Sequence, residues 1–257
     1  MPSSRPSRGT MVTMTVVQPM LALWDDDEPA TPAAPPAHLA RVLADSSDRI
    51  AWLRARSQGI TATDVARLAS PRAVQAVVLD KLYGNGFGGN AYTDHGRARE
   101  PEIARWVLQR HGIESSQKLF HAAGQRRHLA TPDGVTVRAD GTVELCEIKT
   151  TKKAWSSIPR SYLRQVAWQQ YVLGAERTLV VWEQHTDFVP LHGDPQCRWV
   201  ERDEDEIHRL VALADQVLDT LARQAPVDPF APGGRASAPP PPDAYEAYEP
   251  PPYDPLR

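Results

Sequence analysis

Three side chains that could bind a metal ion and a phosphate lie close together in the middle of the sequence. Thirteen residues separate Asp133 from Glu147, and Lys149 follows two positions later. Side chains of a strand alternate between its faces, so Glu147 and Lys149 are predicted on one face, and a hairpin would bring Asp133 beside them. Carboxylates among apolar side chains need compensation. Mg²⁺ provides it, because it binds a few carboxylates while keeping several waters.

Such a centre is suited to hydrolysis of a phosphodiester. The metal ion and Lys149 would offset the negative charge that develops on phosphorus in the transition state. The spacing alone is a weak signal, and an exposed hairpin with an ordinary Glu147–Lys149 pair is the alternative. The turn Pro132-Asp133-Gly134 and the β-forming run around Ile148 favour the catalytic interpretation.

Helix and strand signals alternate around these residues. Two strands joined at Asp140-Gly141, a dipeptide typical of hairpins, are predicted over 131–138 and 142–149. The other predicted elements are helices over 39–56, 97–111, 160–173 and 204–223, a helix capped by Thr61 or Thr63, and a buried strand over 177–183. This order predicts an α/β fold with a mixed central sheet flanked by helices.

Glu100 is a third candidate carboxylate. It precedes Ile103 by three residues and Val107 by seven, which places it on the inward face of the helix over 97–111. A satisfied core glutamate is the alternative, but a nearby metal site favours a ligand role. Glu102 points away from that face and is predicted to be solvated.

Gln165 lies on the helix that follows the second strand of the hairpin. A polar surface face is the alternative explanation, because the same helix carries Gln169 and Gln170. Lys152 and Lys153 come directly after the motif, where they suit either a phosphate backbone or a solvated loop.

The distribution of proline predicts the domain boundaries. Of 24 prolines, seven lie in residues 1–38 and eleven in residues 226–257. Proline lacks a backbone donor and fixes φ, so both ends resist packing into helix or sheet. We therefore expect a disordered leader over 1–38, one folded domain over 39–225, and a disordered, Pro-rich acidic tail over 226–257.

The cysteine count and several sequence patterns exclude other classes of protein. Two cysteines, Cys146 and Cys197, provide neither a disulfide framework nor a four-cysteine zinc or iron–sulfur site. Residues 84–90 lack the Gly-Lys-Ser/Thr ending of a phosphate-binding P-loop. No apolar run is long enough to cross a membrane, and the interrupted stretch 11–23 is interpreted as part of the leader, not as a signal peptide. We expect a cytoplasmic protein without a membrane partner.

Five segments, in order, resemble the YqaJ-type viral recombinase family, the lambda-exonuclease-like nucleases of the PD-(D/E)XK superfamily. They are RARSQGITATDVARL, GRAREPEIA, TPDG, EIKT and YLRQVAWQQYVLGAE. The likeness runs from about Ile50 to about Leu221. Thr63 and Thr131 stand where the family usually has serine, and a threonine hydroxyl can make the same hydrogen bond.

The resemblance implies a PD-(D/E)XK, restriction-endonuclease-like core and assigns roles to particular residues. Asp133, Glu147 and the backbone carbonyl of Ile148 would bind the metal ion, with Glu100 as a further candidate ligand. Lys149 would be catalytic, supported by Glu100 and Gln165. A pocket for a terminal 5′-phosphate would consist of Arg56, Thr63, Thr131 and Gln165.

The resemblance also implies a function. The protein would be a Mg²⁺-dependent 5′-to-3′ exonuclease, with Mn²⁺ as a substitute, that acts on double-stranded DNA ends and leaves 3′ overhangs for phage-type recombination. A single-strand annealing protein is the implied partner, and a ring-shaped trimer occurs in the family.

Three other functions stay open. One is a repair or defence endonuclease of the same superfamily. Another is a DNA-end binding module without catalysis, although Asp133, Glu147 and Lys149 are all present. The last is a scaffold that acts through its Pro-rich ends, which removal of residues 1–38 and 226–257 would distinguish from an enzyme.

Overall fold

The structure, a computed structural model, describes residues 36–84 and 90–224. Apart from residues 36–38, the predicted leader and tail lie outside these ranges, and so does most of segment 84–90. Along the described part of the chain, no helix is both long and apolar enough to cross a membrane.

The described chain alternates short strands with helices of very different lengths. The strands are β1 (Val42–Asp45), β2 (Ile60–Thr61), β3 (Glu114–Ser115), β4 (Lys118–His121), β5 (His128–Ala130), β6 (Gly134–Val137), β7 (Val143–Thr151), β8 (Arg177–Thr186), β9 (Val189–Pro190) and β10 (Gln196–Glu201). The helices are α1 (Arg49–Ser57), α2 (Ala62–Val65), α3 (Val74–Tyr83), α4 (Ala91–His111), α5 (Arg160–Leu173) and α6 (Glu204–Gln224).

The larger sheet has the order β10-β8-β7-β6-β3 within the described residues, with β9 paired to β8. β6 and β7 form the predicted hairpin, in which Val137 pairs with Val143 and Gly141 adopts a φ of +87°. β7 runs parallel to β8, and α5 connects them. The sheet is therefore mixed, as the sequence predicts.

Apolar side chains cover both faces of β7 and β8. On one face, Cys146 and Ile148 pack against Ile103 and Val107 of α4. On the other face, Leu145 belongs to the cluster that includes α5 and α6. Strands buried on both faces are expected to be rich in apolar residues, which explains the continuous apolar run in β8.

A second sheet has the order β1-β4-β5-β2. α5 contacts both sheets, and the indole Nε1 of Trp168 donates a hydrogen bond of 2.9 Å to the carbonyl of Leu129 in β5. β2 pairs parallel to β5, with Thr61 opposite Leu129. This small sheet positions the start of α2 beside the segment that leads to Asp133.

Several predicted boundaries are wrong. The helix predicted over 97–111 begins at Ala91, and the strand predicted over 177–183 continues to Thr186. The helix predicted over 39–56 is interrupted, because Val42–Asp45 forms a strand that pairs with β4 and helix starts again at Arg49. Pairing with a distant strand overrides the local helical pattern there. The strand predicted over 131–138 begins at Gly134, so Asp133 precedes it. The helix over 160–173 and the cap at Thr61 are confirmed.

Gly59 allows the close approach on which this small sheet depends. A Cβ at this position would lie 2.2 Å from the carbonyl oxygen of Arg127 and 2.8 Å from Leu129 Cδ1. That carbonyl also accepts the hydrogen bond from Ile60 N at 2.7 Å. The backbone at Arg127 cannot move away from such a Cβ without breaking the β2–β5 pairing.

We therefore expect Gly59→Ala to lower the free energy of unfolding by about 3 kcal/mol, as overpacking does. Gly124→Ala is the matched control, because a Cβ there would meet nothing within 4 Å. Urea unfolding of both variants measures the difference. Equal stability of the two variants would contradict the close approach at Gly59.

Candidate active site

The carboxylate of Asp133 lies where β6 separates from β7. Its backbone N–H donates to the carbonyl of Cys146 at 3.1 Å, and its Oδ2 accepts a hydrogen bond of 2.7 Å from the backbone N–H of Ile148. A side chain thus takes the place of a backbone acceptor at this edge of β7. In a strand, the N–H and C=O of one residue point to the same side, so the carbonyl of Ile148 is directed toward Asp133 as well.

Glu147 and Lys149 share one face of β7, as their spacing predicts. Glu147 is buried, with 4% of its surface exposed. Lys149 Nζ forms an ion pair with Glu147 Oε1 and lies 5.2 Å from the centre of the Tyr162 ring. The Gln169 Nε2 donates to Glu147 Oε2 at 2.7 Å. Each oxygen of Glu147 therefore has a side-chain partner, Lys149 for Oε1 and Gln169 for Oε2.

The three carboxyl groups at this point are close enough to affect one another. Burial raises the pKa of Asp133 well above its usual range, and the charges of Glu147 and Glu100 raise it further. Burial likewise raises the pKa of Glu100. Burial opposes a charged Lys149, but Glu147 and Asp133 together raise the pKa of its ammonium above the ordinary value. One ammonium faces three carboxyl groups, and a cation would offset the excess of negative charge.

An open cleft of about 550 Å³ gives access to this centre. Its walls include Glu100, Asp133, Ile148, Lys149 and Thr63. Glu100 reaches it from α4 and is half-buried, as predicted, whereas Glu102 is exposed and pairs with Arg99.

α4 is fixed to the sheet by a buried ion pair. Arg99 donates two hydrogen bonds to Glu183 of β8, Nε to Oε1 at 2.9 Å and Nη2 to Oε2 at 2.6 Å. Such bidentate pairs are geometrically specific. Arg99 precedes Glu100 directly, so this contact sets where Glu100 enters the cleft.

Of the four residues predicted to bind a terminal phosphate, Arg56, Thr63 and Thr131 lie near the β2–β5 pair of the small sheet. Thr63 lines the cleft beside Asp133 and also a neighbouring pocket of about 370 Å³ that contains Arg56. Thr61 pairs with Leu129 in parallel strands, and Thr63 and Thr131 each lie two residues beyond that pair. Within the described ranges, Thr131 Oγ1 and Gln165 Oε1 are buried without a hydrogen-bond partner.

Arg56 is half-buried, and its guanidinium carbon lies 4.3 Å from the centre of the Trp52 ring. Burial lowers its pKa and the charge of Asp64 opposes that shift, but a guanidinium stays protonated in proteins. Asp64 itself pairs with Lys81 at 2.7 Å. No acid among the residues that the structure describes forms an ion pair with Arg56, so its donors stay accessible to an anion.

The donor set suits a small, hard cation. Asp133 and Glu147 supply carboxylate oxygens, and the Ile148 carbonyl is directed to the same edge. Each oxygen of Glu147 keeps acceptor capacity beside its present partner, because a carboxylate oxygen has two lone pairs. In the described part of the chain, no three His, Cys, Asp or Glu side chains form a metal-binding group. Mg²⁺ does not require one, since it commonly takes one or two carboxylates and keeps its waters.

Sequence reasoning missed Gln169 and Glu144. Gln169 and Gln170 are buried, so the polar surface alternative for this helix face is wrong, and it is Gln169 that contacts Glu147. The sequence contains a signal for Gln169, because this residue lies one turn beyond Gln165 on the same face of the helix. Glu144 is buried in β7 and accepts hydrogen bonds from Arg138 at 2.7 Å and Arg177 at 2.6 Å.

The hydrogen bonds from Arg138 and Arg177 indicate that Glu144 has a structural role. Burial would raise its pKa, but Arg138 and Arg177 lower it below the ordinary value, so Glu144 stays charged within a satisfied ion-pair group. Glu144 lies toward the opposite end of β7 from Lys149 and does not line the cleft beside Asp133.

Comparison with solved structures shows the fold. An alkaline exonuclease from Laribacter hongkongensis is 23% identical, with a TM-score of 0.53, over 67% of this chain and 92% of that one. Its structure in complex with dAMP gives 22% identity and a TM-score of 0.52 over the same shares of the two chains, 67% and 92%. A phage-related exonuclease from Haemophilus somnus 129PT is 14% identical, with a TM-score of 0.50, over 64% of this chain and 95% of that one. The predicted PD-(D/E)XK-like fold is confirmed.

The sequence also matches a family model, described as the YqaJ-like viral recombinase domain, over residues 51–176. No curated protein matches it. The matched range includes the Asp133–Lys149 centre, the Arg56 pocket and the part of α5 that carries Gln165 and Gln169. Residues 51–176 therefore carry the likeness to the YqaJ-like viral recombinase domain that the sequence motifs indicate.

Proposed function

We propose that the protein is a Mg²⁺-dependent exonuclease that degrades one strand of double-stranded DNA from the 5′ end. The observation that carries the proposal is the cleft lined by Asp133 and Lys149, next to a pocket that contains Arg56, with Glu147 reaching this centre through its ion pair with Lys149. Thr63 belongs to both walls. Two proteins whose solved structures resemble this chain are named as exonucleases, which supports a nuclease.

Asp133, Glu147 and the Ile148 carbonyl would hold the metal ion, with Glu100 as a further carboxylate at the cleft wall. When bound, Mg²⁺ supplies an activated water and stabilises charge on the phosphate oxygens. Mn²⁺ has a similar preference for oxygen ligands and is expected to substitute for it.

Lys149 carries a permanent positive charge into the cleft. Its ammonium can contact a phosphate oxygen and stabilise the charge that develops there. Gln169 fixes the orientation of Glu147 through its amide, so the carboxylate keeps its position when Lys149 turns toward a phosphate. Charge stabilisation and ligand positioning thus come from different elements, β7 and α5.

The Arg56 pocket would provide the direction of digestion. A terminal 5′-phosphate carries more negative charge than an internal diester, and a guanidinium with several hydroxyl groups prefers it through charge-assisted hydrogen bonds. The unpartnered hydroxyl of Thr131 is a further donor for this terminus, and Gln165 would contribute the N–H groups of its amide, because its oxygen can only accept.

We infer that the product is a duplex with a 3′ overhang for phage-type recombination, used by a single-strand annealing protein in the cytoplasm. A ring-shaped trimer and a catalytic domain over 39–225 belong to the same proposal. An endonuclease of this fold is the second candidate, and the Arg56 pocket disfavours it, because internal phosphates do not require a pocket for a terminus.

Digestion of end-labelled linear and closed circular duplexes tests the function directly. We expect loss of the linear duplex with Mg²⁺ or Mn²⁺, no loss with EDTA, and intact circles throughout. Ca²⁺ should support binding with little turnover, because it prefers longer and looser coordination. Full activity in EDTA, or cutting of closed circles, would refute a metal-dependent exonuclease.

Lys149→Ala should lower the rate by at least about 100-fold, as removal of a charge-stabilising group does in other active sites. Lys118→Ala is a matched control, because Lys118 is an exposed lysine on β4 that does not line the cleft. Single-turnover digestion of linear duplex measures both rates. Near-normal cleavage by Lys149→Ala in a folded protein would contradict the catalytic assignment.

Linear duplex with 5′-phosphate ends should be degraded roughly 10- to 100-fold faster than duplex with 5′-hydroxyl ends, the range expected for charged hydrogen bonds. Arg56→Ala should remove most of this preference, and Arg54→Ala, an exposed arginine on the same helix, should keep it. Salt must be constant across the comparison. Digestion from the 3′ end, or equal rates on both ends in the wild type, would exclude the pocket.

A further inference from the structure

Four aromatic rings form a cluster beside the catalytic cleft. Phe188, in the turn between β8 and β9, lies 5.3 Å from Tyr92 and 5.6 Å from His185, measured between ring centres. His95 lies 4.5 Å from His185. We call these four residues the ring cluster, and it joins the first turns of α4 to the β8–β9 hairpin.

The turn that carries Phe188 is strained. Thr186 pairs with Val189, and the two residues between them, Asp187 and Phe188, have φ of 48° and 67°. Positive φ at both central positions is typical of a type I′ turn, which favours Asn-Gly or Asp-Gly. A bulky residue there is an outlier, and such strain is often retained at ligand-binding sites.

Packing alone does not account for this arrangement. Tyr92 and Phe188 remain 44% and 40% exposed, so the strained turn leaves much of an apolar ring in contact with solvent. Tyr92 also lines the cleft that contains Asp133 and Lys149. One exposed ring of the cluster therefore borders the catalytic centre, and the second lies directly behind it.

The histidines of the cluster contain polar atoms that lack partners. His185 is 2% exposed, and its Nδ1 has no hydrogen-bond partner among residues 36–84 and 90–224. The same holds for His95 Nε2 within those ranges. Burial lowers the pKa of His185, and the neighbouring His95 and Lys152 add to that effect. A neutral imidazole packs as an aromatic ring and offers a nitrogen to a polar group.

A positive charge lies close to Tyr92. The Nζ of Lys152 is 4.4 Å from the centre of the Tyr92 ring. Flat exposed rings beside a cation are the combination that binds single-stranded nucleic acid, since bases stack on the rings and phosphates pair with the cation. The rings border the cleft in which we propose that a phosphodiester is cleaved, so the ligand is expected to be a base of the strand that occupies it.

We propose that the ring cluster is a stacking platform for an unpaired nucleobase of the DNA strand in the cleft, with Phe188 and Tyr92 as its exposed surface. This inference rests on the proposed function, because it takes DNA as the occupant of the cleft. Stacking does not depend on base identity, so the platform would hold any base and add no sequence preference.

Binding measurements in a Lys149→Ala background test the platform without digestion. The probe is a duplex whose two 5′-terminal nucleotides are unpaired, either with normal bases or with abasic sites, and fluorescence anisotropy at one salt concentration gives the affinity. We expect abasic sites to weaken binding by roughly 5- to 100-fold. Phe188→Gly should weaken binding of the normal probe by a similar factor and remove the difference between the two probes.

Phe188→Gly is chosen because glycine suits positive φ, so the variant keeps the turn. Phe188→Tyr, which restores a ring, should bind both probes as the parent does. Val189→Ala is the matched control, because Val189 is exposed in the same hairpin and outside the ring cluster. Cooperative thermal unfolding of each variant confirms its fold.

Two results would overturn the platform: unchanged affinity of Phe188→Gly for the normal probe, or an abasic penalty that persists in Phe188→Gly. Degradation of linear duplex by the wild type is measured in parallel. If either result occurs while the wild type digests DNA, the platform is wrong and the nuclease assignment stands. If base-dependent binding requires Phe188 but nothing is digested, the platform stands and the nuclease assignment is wrong.

Discussion

Asp133 and Glu147 are two carboxyl groups close enough to affect each other at the edge where β6 leaves β7, and much of the fold compensates for their proximity. Asp133 replaces a backbone acceptor for Ile148 N–H, and Lys149 and Gln169 hold the two oxygens of Glu147. Burial without such partners would be too costly. The parallel pairing of β7 with β8 and the crossover through α5 bring Gln169 over the strand, so the topology itself stabilises the charged centre.

Local patterns were sufficient for the hairpin, for α5 and for the shared face of Glu147 and Lys149. These features depend on residues close in sequence, namely alternation along a strand, an Asp140-Gly141 turn and helical spacing. β1 could not be predicted in the same way, because its conformation depends on pairing with β4, about eighty residues away. The small sheet consists of strands of two to four residues, too short to show a period.

Local spacing also predicts part of the candidate site, whereas contacts between distant elements of the site are not visible in the sequence. β7 contains two glutamates, and both are buried, so burial does not distinguish Glu144 from Glu147. What separates them is their partners: two arginines from other parts of the chain neutralise Glu144, whereas Glu147 lies beside another carboxylate. Sequence spacing selects Glu147 through its position two residues before Lys149, whereas the contact of Gln169 with Glu147 depends on packing between α5 and β7.

If DNA is the substrate, as we propose, the length of α4 fixes a distance along the bound strand. It is one continuous helix of 21 residues, anchored to β8 by Arg99, and it presents Tyr92 near its start and Glu100 eight residues later. At 1.5 Å per residue these positions are separated by roughly 12 Å along the axis. That length corresponds to about three or four nucleotide steps of a DNA strand at 3.4 Å each. Because an α-helix does not stretch, α4 would keep the spacing between these two positions constant.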